Sequence, residues 1–172
     1  MNKKKCIIID IDDTLVFENY IDNLPNDNSR EKWDLYHEVR DFYNPNQYII
    51  FNQVVDLIKS YYLYCCCEIH LVFLTAREDT CNNKNRENTI KLIHKIFGDI
   101  VDKNGFTFLM REENDYRPSC QVKKDLLDKY VLHDYSPILI IDDSEENIKI
   151  IESEDCIGLR VYNNYKKGVL NE

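Results

Sequence analysis

The chain has 172 residues, 44% hydrophobic and 31% charged, which excludes a disordered chain and supplies enough apolar material for one globular domain. Asp and Glu total 31 against 22 Lys and Arg, and the resulting net charge of −9 opposes any broad electrostatic grip on nucleic acid or anionic membranes, leaving only a local cationic pocket open. With 4 Gly and 4 Pro, long low-complexity linkers are excluded as well.

At the N-terminus, Lys3, Lys4 and Lys5 precede an apolar stretch, but Asp10, Asp12 and Asp13 interrupt it, so no secretory signal region forms. The longest apolar run, Tyr61–Cys67, falls far short of the ~20 residues that span a bilayer. The seven cysteines contain no CxxC pair, and Cys65, Cys66 and Cys67 are adjacent, which suits neither a disulfide framework nor a zinc site. Free thiols in a reducing compartment are expected, hence an intracellular, cytoplasmic protein without membrane contact.

Short runs rich in β-branched residues alternate with stretches of helical period. In chain order the predicted strands are Lys5–Ile11, Ile69–Leu74, Phe106–Met110, Pro137–Ile141 and Ile157–Val161. The predicted helices are Tyr48–Tyr62, Arg86–Phe97 with Gly98 as its C-cap, Val122–Val131 and Glu145–Glu152. Strands apolar throughout and separated by helices predict an α/β fold: three layers, Rossmann-like, a mostly parallel sheet with helices on both faces. One domain over residues 1–172 is expected. Residues 17–46 are polar, contain Leu24–Pro25 and lack a strong period, so they read as an irregular lid-like excursion, a minimal cap.

Position singles out the chemistry. Asp10, Asp12 and Asp13 close the first predicted strand, Thr75 and Arg77 the second, and Asp142 and Asp143 the fourth. In a parallel sheet those ends share one edge, where ligands bind. Lys123, on the helix after the third strand, can reach the same crevice. Carboxylates so crowded need a cation, and an all-oxygen set favours Mg²⁺ before Ca²⁺.

Ile7–Leu15, reading IIIDIDDTL, resembles the DxDxT motif of the haloacid dehalogenase superfamily of phosphotransferases. VFLTAR at Val72–Arg77, Lys123, and IIDD at Ile140–Asp143 are similar to that superfamily's other three motifs, in the same order. Within it, Leu109–Leu127 resembles the 3′-phosphatase domain of phage polynucleotide kinase-phosphatase, through Arg111, Asp115, Arg117 and Lys123. In the excursion, Arg30, Trp33 and Asp34 of SREKWDL match a segment of the same family, whereas Ser119 and Ser144 depart from its pattern.

The resemblance implies a Mg²⁺-dependent phosphomonoesterase acting on polynucleotide 3′-ends. Asp10 would be the nucleophile and Asp12 the acid/base, with Thr75 and Lys123 stabilising the phosphoryl group and Thr14 bracing the loop. Asp10, Asp12 through its carbonyl, Asp142 and Asp143 would surround the metal, while Arg77 and Arg30 would hold the substrate phosphate. Arg111 and Arg117 could instead pair with neighbouring carboxylates, and Trp33 could cap the core or stack a base. The short excursion leaves the crevice open, which suits a polymer end. No GxxxxGK[ST] loop occurs, so no kinase domain is expected in this sequence; a separate kinase or ligase could be a partner, and the chain is expected to be a monomer. A nucleotidase, a small-molecule or protein phosphatase of the same superfamily, and a non-catalytic phosphate-binding module are the competing readings.

Overall fold

The computed structural model describes residues 3–18, 48–66, 68–79 and 84–162. Five strands form one parallel sheet in the order β5-β4-β1-β6-β7: β1 Lys4–Ile9, β4 His70–Glu78, β5 Thr107–Arg111, β6 Tyr135–Asp142 and β7 Ile157–Arg160. Four helices are described: α1 Asn52–Tyr64, α2 Lys84–Asn104, α3 Ser119–Tyr130 and α4 Glu145–Ile148. The chain fills one side of β1 first, with β4 and β5, and then crosses to the other with β6 and β7. The change of side falls between β1 and β6, and a crevice opens there beyond the strands' carboxyl ends.

Alternation along β1 sorts the core into two layers. Ile7 and Ile9 pack with Val55, Ile58 and Tyr62 of α1 and with Leu92, Ile96 and Phe97 of α2. Cys6 and Ile8 face the other way, onto Val122, Leu126 and Leu127 of α3 and Ile148 of α4. All four β1 residues are at most 1% exposed, so each face must be apolar, which is why the strand carries no polar alternation. At the sheet's far edge, a Cβ on Gly158 would lie 2.2 Å from Ile148 Cγ2, so only glycine lets α4 approach β7 this closely.

Three sequence expectations are corrected. Tyr48–Ile50 does not begin a helix but forms β3, antiparallel to β2, Val16–Glu18. Phe51 N–H then donates to Leu15 O at 2.9 Å, fastening the start of α1 to the loop after β1. Nor does Gly98 end its helix: α2 continues through it and buries Val101. The terminating residue is Gly105, whose φ of +67° is the left-handed conformation a C-cap glycine supplies, with its N–H on Val101 O at 3.0 Å. The last predicted helix is also shorter than expected, ending at Ile148.

No helix among the described residues is long and apolar enough to cross a membrane. The five cysteines described, Cys6, Cys65, Cys66, Cys120 and Cys156, are all free, and burial pushes the Cys6 thiol up to about 12 and the Cys156 thiol to about 11. Most of residues 17–46 lies outside the described residues.

Candidate active site

β1 ends in a tight loop. Asp10 N–H donates to Ile141 O of β6 at 2.9 Å, while Leu15 and Val16 N–H both return to Ile11 O, at 2.9 and 3.1 Å. Closing the turn needs Asp13 at φ 60°, a conformation short polar side chains tolerate better than branched ones. The turn points Asp10 and Asp12 toward the crevice from a fixed backbone. Thr14 Oγ1, fully buried, donates to Asp10 Oδ2 at 2.9 Å and holds that carboxyl group in place.

Lys123 reaches the centre of the cluster from α3, where it is 3% exposed. Its ammonium donates to Asp10 Oδ1 at 2.6 Å and to Asp142 Oδ2 at 2.7 Å. Burial pushes the Asp10 carboxyl up to about 7 against the attraction of Lys123, and the neighbouring charges of Asp142 and Asp12 push the same way. For Lys123, burial alone would lower the pKa; its two carboxylate partners more than reverse that and hold the ammonium firmly protonated. One cation between two buried carboxylates leaves a local excess of negative charge.

That excess is what a metal site needs. Asp10, Asp142 and Asp143 each offer a carboxylate oxygen, all within 4.8 Å of one another. Asp142 Oδ1 accepts from Ser144 N–H at 2.8 Å and from Asn147 Nδ2 at 3.0 Å, while Oδ2 accepts from Lys123 at 2.7 Å, so both oxygens of this carboxylate are held in place. The donor set is hard oxygen throughout and fits a small divalent cation. Asn147 is 5% exposed and has no apolar reason to be buried, so it orients Asp142 from behind. Outer partners of metal-ligating groups are worth 10- to 100-fold in affinity. Asn147→Leu is therefore expected to weaken divalent-ion binding by about that factor, measured by calorimetric titration; unchanged affinity would refute the orienting role.

Asp12 is held differently. Thr75 Oγ1 donates to its Oδ2 at 3.0 Å, and Arg77 grips it with Nε at 2.8 Å from both oxygens and Nη2 at 2.6 Å from Oδ1. Such a fork fixes a carboxylate in direction as well as position. Arg77 is itself buried, and its Nη1 donates to Thr89 Oγ1 of α2 at 3.1 Å. Thr89 in turn donates to Asn85 O at 2.8 Å. The β4–β5 register shifts between Thr75 and Glu78, and the irregularity brings Thr75 and Arg77 round to the crevice.

Arg111 secures that irregularity. Its Nε donates to Ala76 O at 2.8 Å, and its Nη1 donates to Asp115 O and Arg117 O at 2.6 and 2.8 Å. Its described bonds thus pin the end of β4 to the loop before α3. Arg117 pairs with Asp115 at 2.8 Å and Asp125 at 2.6 Å on the surface, and Asp115 is held down at about 2 by hydrogen bonds from Arg117. Of the two roles open to these arginines, the described contacts are the structural one.

Asp10, Asp12, Thr75, Arg77, Lys123, Asp142 and Asp143 therefore gather at one edge of the sheet. Arg30, Trp33 and Asp34 lie outside the described residues. Thr89, Asn85 and Asn147 were not singled out from the sequence. Their signal was faint: each is a polar residue on the buried side of a helix, visible only once the helix faces are known.

The sequence matches a family described as the polynucleotide kinase PNKP phosphatase domain over residues 4–163. No curated protein matches it. Among solved structures, a Pnkp1/Rnl/Hen1 complex aligns with TM-score 0.59 and 22% identity over 92% of this chain and 46% of that chain. A second, the Pnkp1/Rnl/Hen1 RNA repair complex, gives TM-score 0.60 and 21% identity over 92% of this chain and 42% of that one. At such identities the likeness is one of fold, and the chain spans less than half the length of either neighbour.

Proposed function

The chain belongs to the polynucleotide kinase PNKP phosphatase domain family, a family of phosphatases of haloacid dehalogenase type, and from that premise we propose that it is a Mg²⁺-dependent phosphomonoesterase that removes 3′-phosphates from polynucleotide ends. The convergence of Asp10, Asp12, Lys123 and Asp142 on one crevice, in a chain of this family, carries the reading.

The reaction takes two displacements. An Asp10 carboxylate oxygen attacks phosphorus, the bond to the 3′ oxygen breaks, and the departing oxygen takes a proton from Asp12. In the second displacement Asp12 accepts a proton from water as the water oxygen attacks the aspartyl phosphate, releasing phosphate and restoring Asp10. Asp12 accepts hydrogen bonds on both oxygens in the resting site and so stands there as the carboxylate; once Arg77 lets go it takes a proton from solvent water, and that proton is the one it gives to the departing oxygen. An incoming phosphate competes for that guanidinium, so the arriving substrate both fills the fork and frees the acid. Lys123 balances the charge of Asp10 and the phosphoryl oxygens, and Thr75 donates a hydrogen bond. A cation held by Asp10, Asp142 and Asp143, with the Asp12 carbonyl, supplies further charge stabilisation when bound.

One of the solved neighbours is described as an RNA repair complex. That supports a polynucleotide end as the substrate and separate chains, a kinase or a ligase, as working partners. The test is a panel of 3′- and 5′-phosphorylated DNA and RNA oligonucleotides, mononucleotides and an aryl phosphate, with and without Mg²⁺. Metal-dependent phosphate release from the 3′-phosphorylated oligonucleotides is expected to dominate. Preference for mononucleotides would make the chain a nucleotidase, and no release from any compound would make it a binding module.

A further inference from the structure

β7 leaves the sheet beside the reacting groups. Asp142 and Arg160 are register partners, and Val161 N–H donates to Asp142 O at 2.9 Å, so Val161 and Tyr162 leave β7 on Asp142's side of the crevice. Neighbouring strands lie ~4.8 Å apart and each extended residue adds ~3.3 Å. Tyr162 is therefore within about one nucleotide's reach of the carboxylate cluster.

A single exposed aromatic is ordinary on a protein surface. Tyr162, 78% exposed, is held rather than loose. The Arg160 guanidinium sits over its ring at 4.6 Å from the centroid, and Arg160 Nη1 lies 3.3 Å from the Tyr162 hydroxyl. The guanidinium is anchored in its turn, with Nε donating to Asp143 O at 3.1 Å and Nη1 to Glu145 Oε2 at 3.3 Å. The ring is thus tied through Arg160 to the backbone of Asp143, whose side chain belongs to the carboxylate cluster. A flat, exposed ring backed by a cation is what a nucleobase stacks on.

Charge argues the same way. A chain of net charge −9 gains little from tracking a phosphate backbone, so affinity for a polynucleotide must come from an uncharged contact helped by a local cation. We infer that Tyr162, backed by Arg160, is a stacking platform for the base of the nucleotide whose 3′-phosphate enters the crevice. The inference deepens the 3′-phosphatase reading and rests on it. Because every base presents a flat face, the platform would be tolerant of sequence and would favour single-stranded or frayed ends.

The test compares two 3′-phosphorylated oligonucleotides that differ only at the terminal residue, one carrying a base and the other abasic, by steady-state kinetics. The wild type is expected to favour the base-bearing substrate by on the order of ten- to a hundredfold, expressed in KM with kcat little changed. In Tyr162→Ala that preference collapses toward one, and in Tyr162→Trp it is retained. A wild type with no preference, or Tyr162→Ala with the wild-type preference, overturns the platform while the 3′-phosphatase reading stands. A wild type that releases phosphate from neither oligonucleotide overturns both.

Discussion

Asp10→Asn is expected to release no phosphate and yet to be more stable than the wild type when no metal is added. In the proposed reaction the substitution removes the nucleophile and with it the covalent step, a loss that in comparable covalent enzymes costs on the order of 10⁴ or more in kcat. The stability gain has a separate origin. Burial raises the Asp10 carboxyl from 3.8 to about 7, so ionising it in the folded state is unfavourable. Below the unfolded value both states hold the proton and the group contributes no pH dependence. Between about 4 and about 7 the unfolded chain gives up its proton first, and the metal-free protein loses stability as the pH rises. Above that window both states are ionised and the penalty is complete. An amide escapes it, and it can turn Oδ1 to Lys123 and Nδ2 to the Thr14 hydroxyl, so neither existing contact is lost. Thermal melts of both proteins from pH 4 to 8 without metal should show the variant's advantage growing up to about pH 7. An Asp10→Asn protein that keeps turnover within tenfold of wild type, or that melts lower at pH 8, contradicts this account.

Lys123→Met is expected to have the largest effect on stability. The ammonium is 2.6 Å from Asp10 Oδ1 and 2.7 Å from Asp142 Oδ2, and all three groups are buried. Removing one partner of a buried ionic cluster leaves uncompensated charge, which costs about 3–5 kcal/mol. In a domain of this size that lowers Tm by on the order of 10 °C. Mg²⁺ in excess should recover part of the loss, because a cation between the same carboxylates supplies the missing positive charge, and a ligand that binds only the folded state stabilises it. Turnover should fall steeply even with the metal present, since methionine cannot neutralise the phosphoryl oxygens. An unchanged Tm in metal-free buffer would mean that Lys123 does not hold the two carboxylates together.

The sheet was legible in the sequence because its central strands are buried on both faces. Ile7, Ile8 and Ile9 are apolar without alternation, and each is at most 1% exposed. The carboxylates were legible for a related reason: Asp10 and Asp142 each follow such a run at once, and a parallel sheet must bring those ends to one edge. Tyr48–Ile50 was not legible, because a strand of three residues beside a helix shares its apolar pattern, and only pairing with Val16–Glu18 separates them. Gly98 misled because a glycine inside a helix and one that ends it look alike until the backbone angle is known. Gly105 has the left-handed φ.

The arginines divide along the same line. The motif placed Arg77 at the site, but its fork onto Asp12 and its tie to Thr89 depend on the irregularity in β4 and on the facing side of α2. Arg111 could not be assigned from spacing at all. Its bonds go to backbone carbonyls, which carry no side-chain signature in a sequence.

The most direct measurement uses one oligonucleotide phosphorylated at both ends, incubated with the wild-type protein and Mg²⁺ and weighed by mass spectrometry, with the end groups mapped on the product. The expected product has lost a single phosphate, from the 3′ end, and the same incubation with Asp10→Asn leaves the substrate intact. Loss of the 5′-phosphate, or recovery of the doubly phosphorylated oligonucleotide from the wild-type reaction, would contradict the 3′-phosphatase account.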